Sequence, residues 1–189
     1  EGNGLQITVP AALDGKAVVE IGDDAFYNCD SIKTINFTQA PSITKVGSYA
    51  FGECDVLQTV TWDPAIIESI GSHAFYNCPA LKNITIPTNT RYNKIEANTF
   101  SYCESLNSIT TVPSNIGAIG VSAFANTGIT QFVIPNTVLV VEGYAFSGCE
   151  KLKTITLPQN DLFTSIPEGM LKDCRVLSSL TIPSNVDTL

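Results

Sequence analysis

Six cysteines are the residues of this 189-residue chain whose type and number could do chemistry. Six thiols could form disulfides, hold a metal ion or take part in redox reactions. Each falls at the end of one recurring phrase, Ala-Phe-x-x-Cys or a variant of it, as in Ala25–Cys29, and no Cys-x-x-Cys or Cys/His zinc spacing occurs. Side chains in one register point the same way rather than at each other, so the spacing favours a column of buried structural thiols. An adjacent disulfide and a metal or redox site stay open as alternatives.

Other candidates for catalysis are few. The single histidine, His73, lies two residues before a repeated phenylalanine, where the other copies carry unrelated residues, and this variability indicates a solvent-facing position. The chain has no nucleophile elbow, phosphate-binding loop, dinucleotide fingerprint or HExxH motif. Asp23 and Asp24 form an acidic pair without EF-hand spacing. We therefore predict no enzyme activity, no cofactor and no metal, although carboxylates from different repeats could still meet in the fold.

Composition excludes several classes of partner. The chain is 44% hydrophobic with a net charge of −8, which is typical of a folded protein and argues against binding nucleic acid or anionic membranes. The longest apolar run, Val138–Val141, is far short of the ~20 residues of a membrane helix. The first residues, Glu1–Gly4, have neither the basic nor the apolar part of a signal peptide, so we expect any secretion signal to have been removed.

The cysteines belong to an internal repeat that must position every side chain of the protein. Phe or Leu recurs at intervals of 22 to 25 residues, at positions 26, 51, 75, 100, 124, 146 and 171. Each copy continues with a phrase such as Leu81–Pro87, Leu-x-x-Ile-x-Ile-Pro, in which β-branched residues alternate, and in five of the seven copies a proline ends the predicted strand. The apolar spacing of three and four around Ala-Phe predicts one or two turns of helix. Repeats that cannot bury their apolar edges alone must stack into a solenoid.

These phrases resemble the BspA-type leucine-rich repeats, and the resemblance covers nearly the whole chain. It implies an α/β solenoid, a right-handed leucine-rich repeat superhelix with short parallel strands on the concave face and short helical turns on the convex face. We expect a leading strand and N-terminal capping loop at 1–17, seven repeats at 18–183 and the start of a truncated further repeat at 184–189. Three departures are local: Thr127 replaces a cysteine, Leu106–Pro113 has an extra residue in its strand, and Met170-Leu171 replaces Ala-Phe.

The residues between the apolar positions of each strand point out of the concave sheet, and nearly all are uncharged and polar. They are either strand formers selected by β-propensity or a ligand-binding face. The candidate binding residues are Thr34, Asn36, Thr59, Thr61, Asn83, Thr85, Ser108, Thr110, Gln131, Thr154 and Thr156. Five tyrosines fall beside the Ala-Phe turns, where they shield the convex core or form a second contact patch: Tyr27, Tyr49, Tyr76, Tyr102 and Tyr144.

Proteins similar to this one are secreted or displayed on bacterial surfaces, and some bind host proteins or other cells. The resemblance therefore implies a non-catalytic extracellular adhesion module whose concave face contacts protein or glycan, on a host or on a neighbouring cell. The alternative is a structural spacer that holds another domain away from the cell envelope. Neither the ligand nor the oligomeric state can be predicted from the sequence.

Overall fold

The computed structural model describes residues 4–188. Glu1, Gly2 and Asn3 of the predicted leading segment, and Leu189 of the predicted further repeat, lie outside the described residues. The chain winds through about seven coils that stack through short parallel strands. We number the coils 1 to 7 by the residue at the centre of each Ala-Phe turn, which is Phe26, Phe51, Phe75, Phe100, Phe124, Phe146 and Leu171 in turn.

The leading strand and the strands that follow the cysteine position of each repeat build the first sheet, which corresponds to the predicted concave sheet. Its N-terminal part consists of β1 (Leu5–Thr8), β5 (Ile32–Asn36) and β7 (Thr59–Thr61). Its C-terminal part consists of β11 (Gln131–Val133), β13 (Thr154–Thr156) and β14 (Ser179–Thr181). Neighbours pair in parallel with equivalent residues of the repeat opposite each other, as Ile35 faces Val60. The alternating pattern therefore places the apolar residue of every strand on the core side.

A second sheet of two-residue strands precedes the Ala-Phe turns. In chain order it contains β4 (Glu20–Ile21), β6 (Lys45–Val46), β8 (Ser69–Ile70), β9 (Lys94–Ile95), β10 (Ala118–Ile119) and β12 (Val140–Val141). The antiparallel hairpin β2 (Ala12–Leu13) and β3 (Lys16–Ala17) stands apart near the N-terminus. Its two-residue turn, Asp14-Gly15, has positive φ at both positions, as a tight hairpin turn requires.

The core is one column of stacked rings surrounded by aliphatic side chains. The phenylalanines of coils 1 to 6 stack face to face, with centroids 5.2 to 5.8 Å apart and planes within 15°. Ile43, Ile67, Ile116 and Val138, eight residues before these rings, are fully buried beside them. Burial of this apolar column is the main stabilisation of a fold in which each coil packs mainly on its neighbours.

The predicted helical turns on the convex face are wrong, since residues 4–188 contain no helix. In coil 1 the residues two before and two after the ring, Asp24 and Asn28, adopt φ of 55° and 56°, and every coil repeats this pattern. An α-helix needs consecutive right-handed residues and bonds from each amide to the carbonyl four residues earlier. Here the Phe26 amide donates to the Ala50 carbonyl of the next coil at 2.8 Å instead. The Ala-Phe turns, which we call the turn face, therefore form an inter-coil ladder of their own.

Both sheets are interrupted at the boundary between coils 3 and 4, which we call the seam. The first sheet stops at an isolated bridge from Thr59 to Asn83, and the second sheet ends at β8 and starts again at β9. Only the turn-face ladder crosses unbroken, as the Phe75 amide donates to the Thr99 carbonyl at 3.0 Å. The ring spacing at the seam, 5.8 Å between Phe75 and Phe100, is the widest of the stack. The seam divides the solenoid into two blocks of continuous strand pairing.

Candidate functional site

The six cysteines lie in one column, as the repeat predicts. All are free thiols; four are buried, whereas Cys29 and Cys174 at the two ends are half-buried. Each thiol from coil 2 onward donates a hydrogen bond to the carbonyl of the ring residue one coil earlier, for example from Cys78 Sγ to Phe51 O at 3.0 Å. In coil 5, Thr127 Oγ1 instead donates to the carbonyl of the ring residue of its own coil, Phe124, at 2.8 Å. The column satisfies buried carbonyls and is part of the core.

Their surroundings also lower the reactivity of four of these thiols. Desolvation is the largest cause that raises the pKa of Cys54 and of Cys174 to about 12, and burial raises the pKa of Cys149 in the same direction. For Cys78 the hydrogen bond with Cys103 raises the pKa most, followed by burial. Since the thiolate is the nucleophile and the metal ligand, protonated buried thiols do neither. The described residues contain no group of three His, Cys, Asp or Glu side chains placed to hold a metal ion.

His73 is half-buried, so its predicted solvent-facing position is only partly correct. Its ring stacks on Tyr49 with centroids 4.4 Å apart, and its Nδ1 lies 2.7 Å from the hydroxyl of Ser72. Burial lowers its pKa below the usual value of 6.5. The Ser72 hydroxyl also lies 2.9 Å from the Ala97 carbonyl, to which it can donate, and no carboxylate hydrogen-bonds to His73 within residues 4–188.

The eleven candidate residues all lie on the first sheet or on its continuation across the seam. Thr34, Asn36 and Thr59 are half-buried and the others are exposed. The structure brings them together in two groups. Four of them line a groove of about 450 Å³ at the seam: Asn83, Thr85, Ser108 and Thr110. Thr110 also joins Gln131, Thr154 and Thr156 around a second concavity of about 410 Å³. Neither depression includes the candidates of coils 1 and 2.

The seam groove exposes backbone N–H and C=O groups that would be hydrogen-bonded to the next strand in a continuous sheet. Across the seam, no backbone-to-backbone hydrogen bond joins 84–86 to 108–112 in the described part of the chain. One side-chain bond replaces the ladder there, from Ser108 Oγ to the Lys82 carbonyl at 2.7 Å. The hydroxyls of Thr85 and Thr110 have no hydrogen-bond partner within residues 4–188, and both residues are exposed. The groove thus offers unpaired amides, carbonyls and hydroxyls next to the apolar floor of Ile84 and Ile109.

The extra residue in Leu106–Pro113 is one visible cause of the groove. Two residues, Thr110 and Thr111, stand where neighbouring coils have one, and Thr111 instead of Thr110 bridges to Val133 of coil 5. This is the arrangement of a β-bulge, which unpairs one residue and bends the strand. The sequence shows the extra residue as a departure from the repeat, but it does not predict that the bulge residue Thr111 and the neighbouring Thr88 line the groove.

A ladder of asparagines was missed altogether. After the first-sheet strands, Asn115 Nδ2 donates to the carbonyls of Pro87, Asn89 and Tyr92 at 3.1, 3.1 and 2.6 Å. Asn160 and Asn185 make equivalent bonds to the coils before them. The recurring Pro-x-Asn phrase, as in Pro113–Asn115, carries the signal that could have identified them. These amides hold coil to coil and are structural.

Comparison with known proteins settles the family. The model of the BspA type leucine rich repeat region matches residues 19–140 and 68–189, with six copies. The chain belongs to this family. Leucine-rich repeat families are generally non-enzymatic. No curated protein is significantly similar in sequence.

Solved structures that resemble this BspA-type chain are bacterial leucine-rich repeat proteins. The T. pallidum leucine rich repeat protein TpLRR is 25% identical, with a TM-score of 0.73 over 93% of this chain and 79% of that one. A leucine-rich repeat protein from Bacteroides ovatus is 26% identical, with a TM-score of 0.61 over 96% of this chain and 46% of that one. The pneumococcal vaccine antigen PcpA is 18% identical and shares the fold, with a TM-score of 0.60 over 97% of this chain and 62% of that one. The chain thus spans less than half the length of the Bacteroides protein.

Among the described residues, the structure has no helix of the length and apolarity that a membrane crossing needs.

Proposed function

We propose that this chain is a non-catalytic extracellular binding module that contacts a protein or glycan ligand, on a host or a neighbouring cell, through the concave sheet. The observation that carries the proposal is the seam groove, because exposed hydroxyls and unpaired backbone groups line this depression of about 450 Å³. Ligand sites combine an apolar floor with a few polar groups that fix orientation. Two proteins of this fold are named a vaccine antigen and a cell surface protein, which supports the extracellular location.

The chemistry of the groove points to an uncharged, hydrogen-bonding ligand surface. None of its lining residues carries a charge, and the polar groups are hydroxyls, an amide and backbone N–H and C=O. Such groups bind hydroxyls of a glycan or the main chain of a peptide without needing a counter-charge. We therefore expect binding that changes little with salt, since screening acts on charged pairs.

The test compares the wild-type chain with Thr85→Arg/Thr110→Arg on panels of matrix proteins and glycans by biolayer interferometry. The two arginines fill the groove from both sides, so binding should fall at least tenfold. The matched control, Thr8→Arg/Thr181→Arg, places the same substitutions at exposed positions on the two ends of the first sheet and should bind as wild type. Circular dichroism checks that both variants fold.

Equal loss in both double variants would move the site from the groove to the whole sheet and so refute its assignment. A wild-type chain that binds nothing on the panels would refute the binding function and favour the spacer alternative.

A further inference from the structure

The turn face carries aromatic rings that contact one another across four coils. Tyr49 meets Tyr27 edge-on with centroids 5.9 Å apart and stacks on His73 at 4.4 Å. Tyr76 lies 5.5 Å from His73 and meets Tyr102 edge-on at 5.8 Å. We call these five residues the tyrosine row. It runs from coil 1 to coil 4, about 15 Å at ~4.8 Å per coil.

Three members of the row occupy backbone positions that disfavour large side chains. Tyr49, His73 and Tyr102 have φ of 52°, 60° and 63°, in the left-handed region. For an L residue this conformation costs about 1–2 kcal/mol, least for Asn and Asp, and glycine avoids it. Other coils make the same turn with Asn98 or Gly148. The turn itself therefore does not require an aromatic residue.

Contacts between the rings offset part of the free-energy cost of positive φ, but they do not explain why aromatic residues occupy these positions. An edge-on or offset aromatic pair contributes about 0.5–1.5 kcal/mol beyond its area. The ends of the row nevertheless stay open to solvent, with Tyr27 45% and Tyr102 42% exposed. A row selected only to shield the core would bury its rings, as the phenylalanines beneath it are buried. The exposed rings of Tyr27 and Tyr102, together with the placement of Tyr102 at a disfavoured backbone position, point to an external contact.

The electrostatics of the row select a cation. The row lines a groove of about 460 Å³ whose lining includes the carboxylate of Glu53 and, within the described residues, no lysine or arginine. Asn77 Nδ2 donates to Glu53 Oε2 at 2.5 Å and fixes this carboxylate beside the rings. The faces of aromatic rings are negative and attract cations, most strongly when the site is desolvated. The chain as a whole is also acidic, with a net charge of −8.

We propose that the tyrosine row is an interaction surface for a segment of a partner protein that presents arginine side chains. A guanidinium is planar, so it can stack on a tyrosine ring while its edge donates two hydrogen bonds to the Glu53 carboxylate. A lysine ammonium provides the charge without the planar face, so arginine should bind better than lysine. The row lies on the turn face rather than on the first sheet, so the proposal does not rest on the function proposed for the concave sheet.

The test measures fluorescence anisotropy of a labelled nine-residue peptide of alternating arginine and glycine, titrated with the full chain at low salt. The key variant is Tyr49→Asn/His73→Asn, because asparagine is tolerated at positive φ and keeps the turn. Glu53→Gln removes the carboxylate inside the row. Asp173→Asn is its matched control, since Asp173 also has positive φ but lies in coil 7 outside the row. Tyr102→Asn serves as an independent variant if the double substitution loses its circular dichroism signal.

We expect Tyr49→Asn/His73→Asn to weaken peptide binding at least tenfold, Glu53→Gln at least threefold and Asp173→Asn less than twofold. The lysine-glycine peptide should bind at least threefold more weakly than the arginine peptide. The proposal is overturned if the wild-type chain does not bind the arginine peptide, if the asparagine variants bind it as well as wild type, or if Glu53→Gln and Asp173→Asn weaken binding equally.

Discussion

Replacing Tyr92 by phenylalanine should stabilise the protein. Tyr92 occupies the position of the buried isoleucines of other coils, next to the seam, and is 3% exposed. Its hydroxyl is the single buried side-chain N or O atom in residues 4–188 without a hydrogen-bond partner. Burial is the main reason that the pKa of this phenol is raised, with the nearby Glu96 adding to it. The hydroxyl is thus held protonated in apolar surroundings with nothing to donate to.

The expected size follows from the cost of burying an unpaired polar group, which is about 1–3 kcal/mol. Tyr92→Phe removes that oxygen and keeps the ring, so the void it leaves is smaller than a methyl group and costs well below 1 kcal/mol. The net gain should be about 1–2 kcal/mol in the free energy of unfolding. For a chain of this size, that raises the melting temperature by about 2–4 °C per kcal/mol.

Urea unfolding followed by circular dichroism at pH 7 measures this gain, with the slope of the transition unchanged. The matched control is Tyr27→Phe, whose ring is 45% exposed and whose hydroxyl has no partner within the described chain. Its stability should stay within about 0.5 kcal/mol of wild type. If Tyr92→Phe loses 0.5 kcal/mol or more while Tyr27→Phe does not, the Tyr92 hydroxyl is making a hydrogen bond and the reasoning is wrong.

Three further predictions test the inter-coil contacts. Asn115→Ala should cost about 1–3 kcal/mol in urea unfolding because it leaves three carbonyls without their donor, whereas the exposed Asn107→Ala should change little. Burial raises the pKa of the Cys54 thiol to about 12, so its contribution is fully present below pH 9.0 and is lost as the pH rises towards 12. The urea midpoint should therefore fall from pH 8 to pH 10.5, and Cys54→Thr, patterned on Thr127, should reduce that fall; equal falls would contradict the assignment. Burial lowers the pKa of His73, so its neutral form stabilises the fold above pH 6.5, and this stability is lost as the pH falls from 6.5 through the lowered pKa. His73→Asn should flatten the dependence of the urea midpoint between pH 5 and pH 7.5, and an unchanged slope would show that other groups cause it.

The repeat made most of the architecture predictable. Alternation in phrases such as Leu81–Pro87 places one side chain inward and the next outward, and that pattern has one solution in a stacked solenoid. The common register of the six cysteines likewise predicts their column. These features depend on the spacing of residue types within each repeat, which can be read directly from the sequence.

The turn face could not be predicted in the same way, because apolar spacing does not report backbone φ. Phe26 and its apolar neighbours are three and four residues apart in either a helix or a pair of tight turns. The difference lies in Asp24 and Asn28, which adopt positive φ and direct the intervening amides to the next coil. In several coils the same positions hold tyrosine, serine or glutamate, whose intrinsic preferences give no sign of that conformation. Tertiary stacking decides it, since the inter-coil bonds exist only once two coils are in register.

The seam shows how local irregularities create a surface that no single repeat has. Coil 4 differs from its neighbours by Tyr92 in the ring-side core, by Glu96 at the place where Gly47, Gly71 and Gly120 stand, and by Thr111 in its strand. A side chain at Gly71 would lie 2.5 Å from the Ser48 amide, so glycine there permits a close approach between coils. Coil 6 carries a glutamate, Glu142, at the same position. Its amide still donates to the Ile119 carbonyl of coil 5 at 2.9 Å, so a glutamate alone does not open a gap between coils. The combination of a larger core residue and a bulged strand is what distinguishes coil 4.

A continuous sheet satisfies all of its own backbone groups and offers a ligand only side chains. An interrupted one offers main-chain donors and acceptors as well, and it does so at the single place where the four central candidate residues converge.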